Sequence, residues 1–324
     1  MNLECIAPKE NPKYIFFLLF ALITFSASAQ WQPFIWAEFQ QDKAMNRRAG
    51  ILLPVKLDGI DCNMQLDTGV GLSTLYRNAL PARYSALSGA DTLLVVNFSL
   101  GSETSAKQFQ LMYKKKLNSP RKCNSLRYHS IVGTLGNDYF LNGTIRLDMA
   151  SGRYQFIKGP LQSTDGEKSQ SLDIEIFRTE KFGAFPVVTV TFENRDQRKM
   201  IFDTGSASFD FRIYLKNDWL SLVGLQKIEA VEPIMIPRFG RLIPCYSAPI
   251  VQAVSLGGIR LERDTKAMYC DDPRDRPQEG NQVFGVLGLA PFSQKIVSVD
   301  YVAQKIFVEA TSGFAPISGR NVEP

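Results

Sequence analysis

"MQLDTGVGLSTLY" spans residues 64–76 and sets the carboxylate of Asp67 between apolar flanks, with the small hydroxyl of Thr68 and then Gly69 directly behind it. One Asp-Thr-Gly carries little, since at ordinary residue usage it arises by chance in roughly one of several thousand windows. The tripeptide recurs 136 residues later, in "RKMIFDTGSASFDF" (198–211), at Asp203-Thr204-Gly205.

Each tripeptide is followed by the same series of landmarks, and internal repeats decide the fold before anything else does. The first half continues through "SLG" (99–101), Tyr113, "GTLG" (133–136) and "RLDMASGRYQF" with Asp148; the second through "SLG" (255–257), Tyr269, "GVLG" (285–288) and "SVDYVAQKIFV" with Asp300. Gly101 to Tyr113 and Gly257 to Tyr269 are both 12 residues, as are Gly136 to Asp148 and Gly288 to Asp300. Matching strands precede the tripeptides, "LLPVKLDG" in one half and "FPVVTVTF" in the other. The chain is two copies of one unit. The tripeptides lie 136 residues apart and the two "SLG" stretches 156, so the second copy holds an insertion of about 20 residues.

The pattern within each copy is β. "LLVVNFSL", "PVVTVTF", "IVQAVSL" and "KIVSVDYV" are short runs rich in Val, Ile and aromatics, bounded by turn residues. Helical periodicity is weak and best over 218–231, "DWLSLVGLQKIEAV", which Gly224 interrupts. Between the copies, "KGPLQSTDGEKSQSLD" (158–173) has the Gly, Pro, Ser and charge content of a linker. The expected organisation is an all-β chain with a signal peptide over 1–29, a β-barrel-like lobe over 30–157, a linker over 158–173 and a second such lobe over 174–324.

The leading segment has the order of an export signal: Lys9 and Lys13, then the apolar run Tyr14–Phe25, then "SASAQ" with an Ala-x-Ala site ending at Ala29. The run has 12 residues, whereas a membrane span needs about 20, which favours cleavage over an uncleaved anchor and leaves no span afterwards. The expected location is therefore periplasmic, secreted or cell-envelope. Cleavage removes Cys5 and leaves Cys62, Cys123, Cys245 and Cys270. They form either two disulfides or four buried thiols. A two-residue hairpin turn at Gly257-Gly258 would set Cys245 directly opposite Cys270.

Several function classes drop out. The charge of +5 is mild and no dense basic run interleaves with aromatics, so no nucleic-acid partner is expected. There is no C-x-x-C spacing and only one histidine, His129, which leaves no metal site and no cofactor to expect. His129 has no Gly-x-Ser-x-Gly elbow to serve, which disfavours a Ser-His-Asp triad. "NFS" at Asn97 and "NGT" at Asn142 match a glycosylation sequon and read as incidental.

Two carboxylates in equivalent positions of two lobes supply a different chemistry. Face to face they cannot both ionise easily, so they share one proton. The ionised member can then take a proton from water while the protonated member donates to an amide carbonyl. The bland alternative is a pair of Asx turns that end strands.

These features resemble the pepsin/retropepsin-like aspartic peptidases over nearly the whole mature chain. The resemblance implies the acid-protease fold, with the active site in the cleft between the lobes and Asp67 and Asp203 as the catalytic dyad. It implies that Thr68 and Thr204 bond across the axis, that Gly69, Gly205 and Ser206 support the dyad, and that the elements ending at Gly136 and Gly288 thread beneath the aspartates. It also implies a polypeptide substrate and a monomer that needs no second chain to complete its site. A flap hairpin with a substrate-contacting tyrosine is expected between Leu75 and Cys123, an interval that holds Tyr84 and Tyr113. Val70 stands where pepsin-like members carry a Ser or Thr that Ser206 supplies in the other lobe. Because of Val70, a second reading stands beside the peptidase: an inactive envelope protein of the same fold that binds peptide or glycan.

Overall fold

The alternation written into each half closes each half on itself. A computed structural model describes residues 30–41, 44–84, 92–113, 123, 131–162, 169–193, 196–238, 241–261, 264–273, 275 and 283–310. The expected signal segment and His129 lie outside these residues.

In the first lobe seven strands follow the spatial order Ile35–Gln41, Ala44–Leu57, Ile60–Leu66, Ile131–Leu135, Thr74–Tyr76, Glu103–Met112, Leu93–Leu100. Pairing of Val55 with Leu100 and of Leu57 with Phe98 joins the ends into a barrel. In the second lobe the order is Gly183–Phe192, Gln197–Phe202, Val283–Leu287, Phe211–Ile213, Lys266–Cys270, Arg241–Pro249, Ile234–Arg238, and Val254–Leu256 returns to Gly183–Phe192. The repeat in sequence is thus a repeat in topology. Even the irregularity is copied, because the parallel pairing beside each tripeptide slips at the same place, between Asn63 and Met64 and between Lys199 and Met200.

Several of these strands alternate between buried and more exposed side chains, as in Ile60–Leu66 and Leu93–Leu100. Met64, Leu66, Leu75, Phe98 and Phe109 fill the first barrel, and Met200, Phe202, Phe211, Leu256 and Leu287 the second, all essentially without solvent contact. Burial of such side chains is worth roughly 1.5–3 kcal/mol each.

A further sheet joins the lobes in the order Gln32–Pro33, Arg153–Lys158, Gly143–Asp148, Lys295–Asp300, Lys305–Ala310, Ser169–Thr179. Its centre is pseudo-symmetric: Asp148 pairs with Ile296, and its counterpart Asp300 with Thr144. Each aspartate caps the turn that follows. Asp148 accepts from Ser151 N at 3.0 Å, and Asp300 accepts from Val302 N at 3.0 Å and Ala303 N at 2.7 Å. Across the sheet the Arg146 guanidinium meets the Glu309 carboxylate at 3.1 Å. Within the stretch 158–173, Ser169–Asp173 are strand residues paired with Lys305–Glu309.

Two local expectations meet the structure differently. The GlyGly hairpin forms as read: Gly257 and Gly258 both have positive φ (50° and 93°), Leu256 faces Ile259, and Cys245 faces Cys270. The helix over 218–231 does not. It spans Lys216–Leu222, and Gly224 at φ 67° ends it before a separate 3-10 turn at Ile228–Ala230. A glycine in the left-handed region is the common stop for a helix, and burial of Trp219, with Nε1 donating to Ala267 O at 2.9 Å, fixes the turn that remains.

Candidate functional site

The strands Ile60–Leu66 and Gln197–Phe202 deliver the two tripeptides to the junction of the lobes. Asp67 N donates to Leu135 O at 3.1 Å and Asp203 N to Leu287 O at 2.9 Å, so each aspartate rests on the apolar-Gly element of its own lobe. Gly136 and Gly288 are needed for this close threading. A Cβ on Gly136 would lie 2.7 Å from Val70 O, and one on Gly288 2.1 Å from Phe209 O. The polar Thr134 in the first of these elements is accommodated, since its hydroxyl lies 2.5 Å from that of Tyr76.

Thr68 and Thr204 are fully buried and lock the lobes together. Thr68 N donates to Thr204 Oγ1 and Thr204 N to Thr68 Oγ1, both at 3.0 Å. The Thr68 hydroxyl in turn donates to Phe202 O at 2.7 Å. A hydroxyl can accept and donate at once, which an apolar isostere cannot.

Above this lock the two carboxylates meet. Gly69 N lies 3.0 Å from Asp67 Oδ1 and 3.2 Å from Asp203 Oδ1, so a single N–H serves both groups. Gly205 N adds a donor to Asp203 Oδ1 at 2.8 Å, and the Ser206 hydroxyl donates to Asp203 Oδ2 at 2.8 Å. Val70, at the position equivalent to Ser206, gives Asp67 nothing comparable. The glycines are again matters of space: a Cβ on Gly69 would lie 2.7 Å from Asp203 Cγ, and one on Gly205 2.5 Å from Asp67 Cγ.

Burial, the Asp203 charge and the hydrogen bond between the two carboxyl groups push Asp67 well above the ordinary carboxylate range, against the Gly69 N–H and the Arg212 cation. Arg212 is held by Asp275, with Nη1 3.4 Å from its carboxylate. One carboxyl of the pair is thus poised to keep its proton, and the other is met by three hydrogen-bond donors.

Other expected features fall as follows. Both disulfides are present, Cys62–Cys123 and Cys245–Cys270, with Cα–Cα separations of 4.6 and 4.0 Å, which removes the free-thiol alternative. Most of the described part of the interval expected to hold a flap is barrel wall, Leu93–Leu100 and Glu103–Met112. Tyr84 is tied down there, its hydroxyl donating to Asp58 Oδ2 at 2.5 Å, and Tyr113 stands exposed at a strand end. Its counterpart Tyr269 instead stacks on Tyr246. Between the tripeptide and the "SLG" of the second copy lies the edge strand Ile234–Arg238, which packs against Ile35–Gln41 of the first lobe. Its Ile236 joins Ile243, Cys245, Met268 and Cys270 in a small cluster that Phe209 of the second tripeptide loop packs against.

Asn137 and Tyr301 were not singled out from the sequence. Asn137 follows Gly136 directly, is fully buried, and donates from Nδ2 to Thr68 O at 2.7 Å. The available signal was a side-chain amide where the second copy has Leu289. Among the described residues no group of three or more His, Cys, Asp or Glu could hold a metal ion, and no helix is long and apolar enough to cross a membrane.

No protein-family model matches the chain, and no curated protein does. Among solved structures it is similar to the aspartic proteinase from Irpex lacteus, with a TM-score of 0.52 over 88% of this chain and 98% of that one, at 11% identity. The fold is pepsin-like. A likeness at that identity carries the bilobal all-β architecture and leaves the chemistry to the residues themselves.

Proposed function

We propose that the protein is an exported aspartic endopeptidase that hydrolyses peptide bonds with a water activated between Asp67 and Asp203. The observation that carries this reading is the Gly69 N–H shared by both carboxylates. The unequal surroundings support this division of roles. Asp203, with Gly69 N, Gly205 N and the Ser206 hydroxyl as donors, is the anion that takes a proton from water. Asp67, with Gly69 N, carries the shared proton and passes it to the scissile carbonyl oxygen. Water attacks the carbonyl carbon; the tetrahedral diol then collapses, one hydroxyl returning its proton to Asp67 while the amine leaves with the proton Asp203 took from water, without a covalent enzyme intermediate.

The substrate on this reading is a polypeptide, and one chain acts alone because both aspartates belong to it. Export is supported by the charged, apolar, small-residue order of the N-terminal segment and by two disulfides, which persist in oxidising compartments. Val70 favours a second reading, an envelope protein of the same fold that binds peptide or glycan without turnover. One experiment separates the two. The peptidase cleaves a casein-type substrate at some pH between about 3 and 7 and is blocked by a statine-type mimic of the tetrahedral species, while Asp203→Asn is inert. A binding protein leaves the substrate intact, as the variant does.

A further inference from the structure

The two tripeptide loops are not held alike. In the second lobe the backbone after the apolar-Gly element does the holding: Gly288 N donates to Asp210 O at 2.8 Å and Leu289 N to Ser206 O at 3.2 Å. The first lobe has equivalent backbone bonds, Asn137 N to Val70 O at 3.0 Å and Asp138 N to Gly71 O at 3.1 Å. There, however, a side chain is added. Asn137 Nδ2 lies 2.7 Å from Thr68 O, 3.0 Å from Val70 O and 2.8 Å from Ala184 O, and Ala184 belongs to the other lobe. The Asn137 Oδ1 accepts from the Tyr301 hydroxyl, also of the second lobe. Tyr301 is itself immobilised, buried to 4% exposure, with its N donating to Gly143 O at 3.1 Å and its ring stacked on Phe140.

Thr68 and Val70 flank Gly69, whose N–H is the donor common to both carboxylates. One amide therefore fixes the peptide unit that carries that N–H, through Thr68 O, and the unit that follows Val70, and ties both to two points on the opposite lobe. Only Asn fits this post. Leu has no donor or acceptor, Asp would face backbone carbonyls with an anion and no donor, and a longer amide would not fit a fully buried site.

We propose that Asn137, oriented by Tyr301, is the positioning residue of the dyad, setting the Gly69 N–H and hence the placement of Asp67 against Asp203. The inference rests on Asp67 and Asp203 being the catalytic pair. It predicts a loss in turnover rather than in substrate binding, because near-attack geometry is lost while the cleft remains.

The test is Asn137→Leu, which copies the second lobe, with Tyr301→Phe as a milder variant that removes one hydroxyl and nothing else. Thermal unfolding, kcat, KM and the pH–rate profile are measured on the full mature chain. The expected result is a kcat lower by about 10- to 100-fold in Asn137→Leu and by less in Tyr301→Phe. KM stays within about threefold, and the alkaline limb moves to higher pH as Asp67 loses the support of a well-placed N–H. If Asn137→Leu does not fold, Tyr301→Phe alone decides by the same signs. A variant that is less stable but keeps the wild-type kcat and pH profile overturns the inference and leaves the peptidase reading intact. A wild-type protein with no activity overturns both.

Discussion

Thr68 and Thr204 exchange hydrogen bonds at equal length, the backbone N–H of each reaching the hydroxyl of the other at 3.0 Å. Neither residue has any solvent contact. Replacing Thr204 by Val keeps the shape and leaves the Thr68 N–H buried without an acceptor, a cost of about 1–3 kcal/mol. Thr204→Ser retains the acceptor and is expected to stay close to wild type. Denaturant unfolding of the two variants checks this, and equal stabilities would contradict it.

Asp67 makes the fold pH-sensitive in a definite direction. Burial and the neighbouring Asp203 raise its folded-state pKa well above the ordinary value of 3.8. The folded protein thus binds this proton more tightly than the unfolded chain does. The stability it contributes is complete below 3.8 and is lost as pH rises through the folded value. Asp67→Asn removes the titration, so its melting temperature should exceed that of wild type by more at pH 7 than at pH 4 (both approximate set points). An equal difference at both pH values would contradict the assignment.

Val70 can be converted into the donor it replaces. In Val70→Ser a hydroxyl can reach the Asp67 carboxylate as Ser206 reaches Asp203 at 2.8 Å. A donor to the anion lowers a carboxyl pKa, so the alkaline limb of the pH–rate profile should move to lower pH. The wild type should be less acid-loving than pepsin-like enzymes. A wild-type optimum at about pH 2 would refute this.

The disulfides close loops of different size, with sequence separations of 61 for Cys62–Cys123 and 25 for Cys245–Cys270. On the chain-entropy argument they stabilise by about 4.3 and 3.5 kcal/mol. Removing the first pair as a double alanine variant should cost slightly more than removing the second. Alkylation without reductant should leave all four cysteines unmodified, and full labelling would contradict both bridges.

How much of this was legible in the sequence depends on whether the information was local. The repeat, the strands and the Cys245–Cys270 register were readable because they are set by period-two alternation, by a GlyGly turn and by spacing along one hairpin. The helix ran too far because an apolar pattern continued past Gly224, where the backbone instead turned into the left-handed region at φ 67°. The position of a flap within its interval was not legible for a related reason. "LLVVNFSL" looks the same whether it forms a free hairpin or a barrel wall, and only its pairing with Val55 and Leu57 decides. Asn137 was missed because its partners Ala184 and Tyr301 lie 47 and 164 residues away, and no local pattern announces a contact between lobes.

The most direct measurement of the central claim is the pH dependence of peptide-bond cleavage by the purified mature chain, beside Asp67→Asn and Asp203→Asn. The account predicts a bell-shaped wild-type profile whose two limbs belong to one coupled pair, together with a loss of at least about 10³-fold in either variant. Cleavage that survives both substitutions, or a folded wild type that cleaves nothing at any pH, would contradict it.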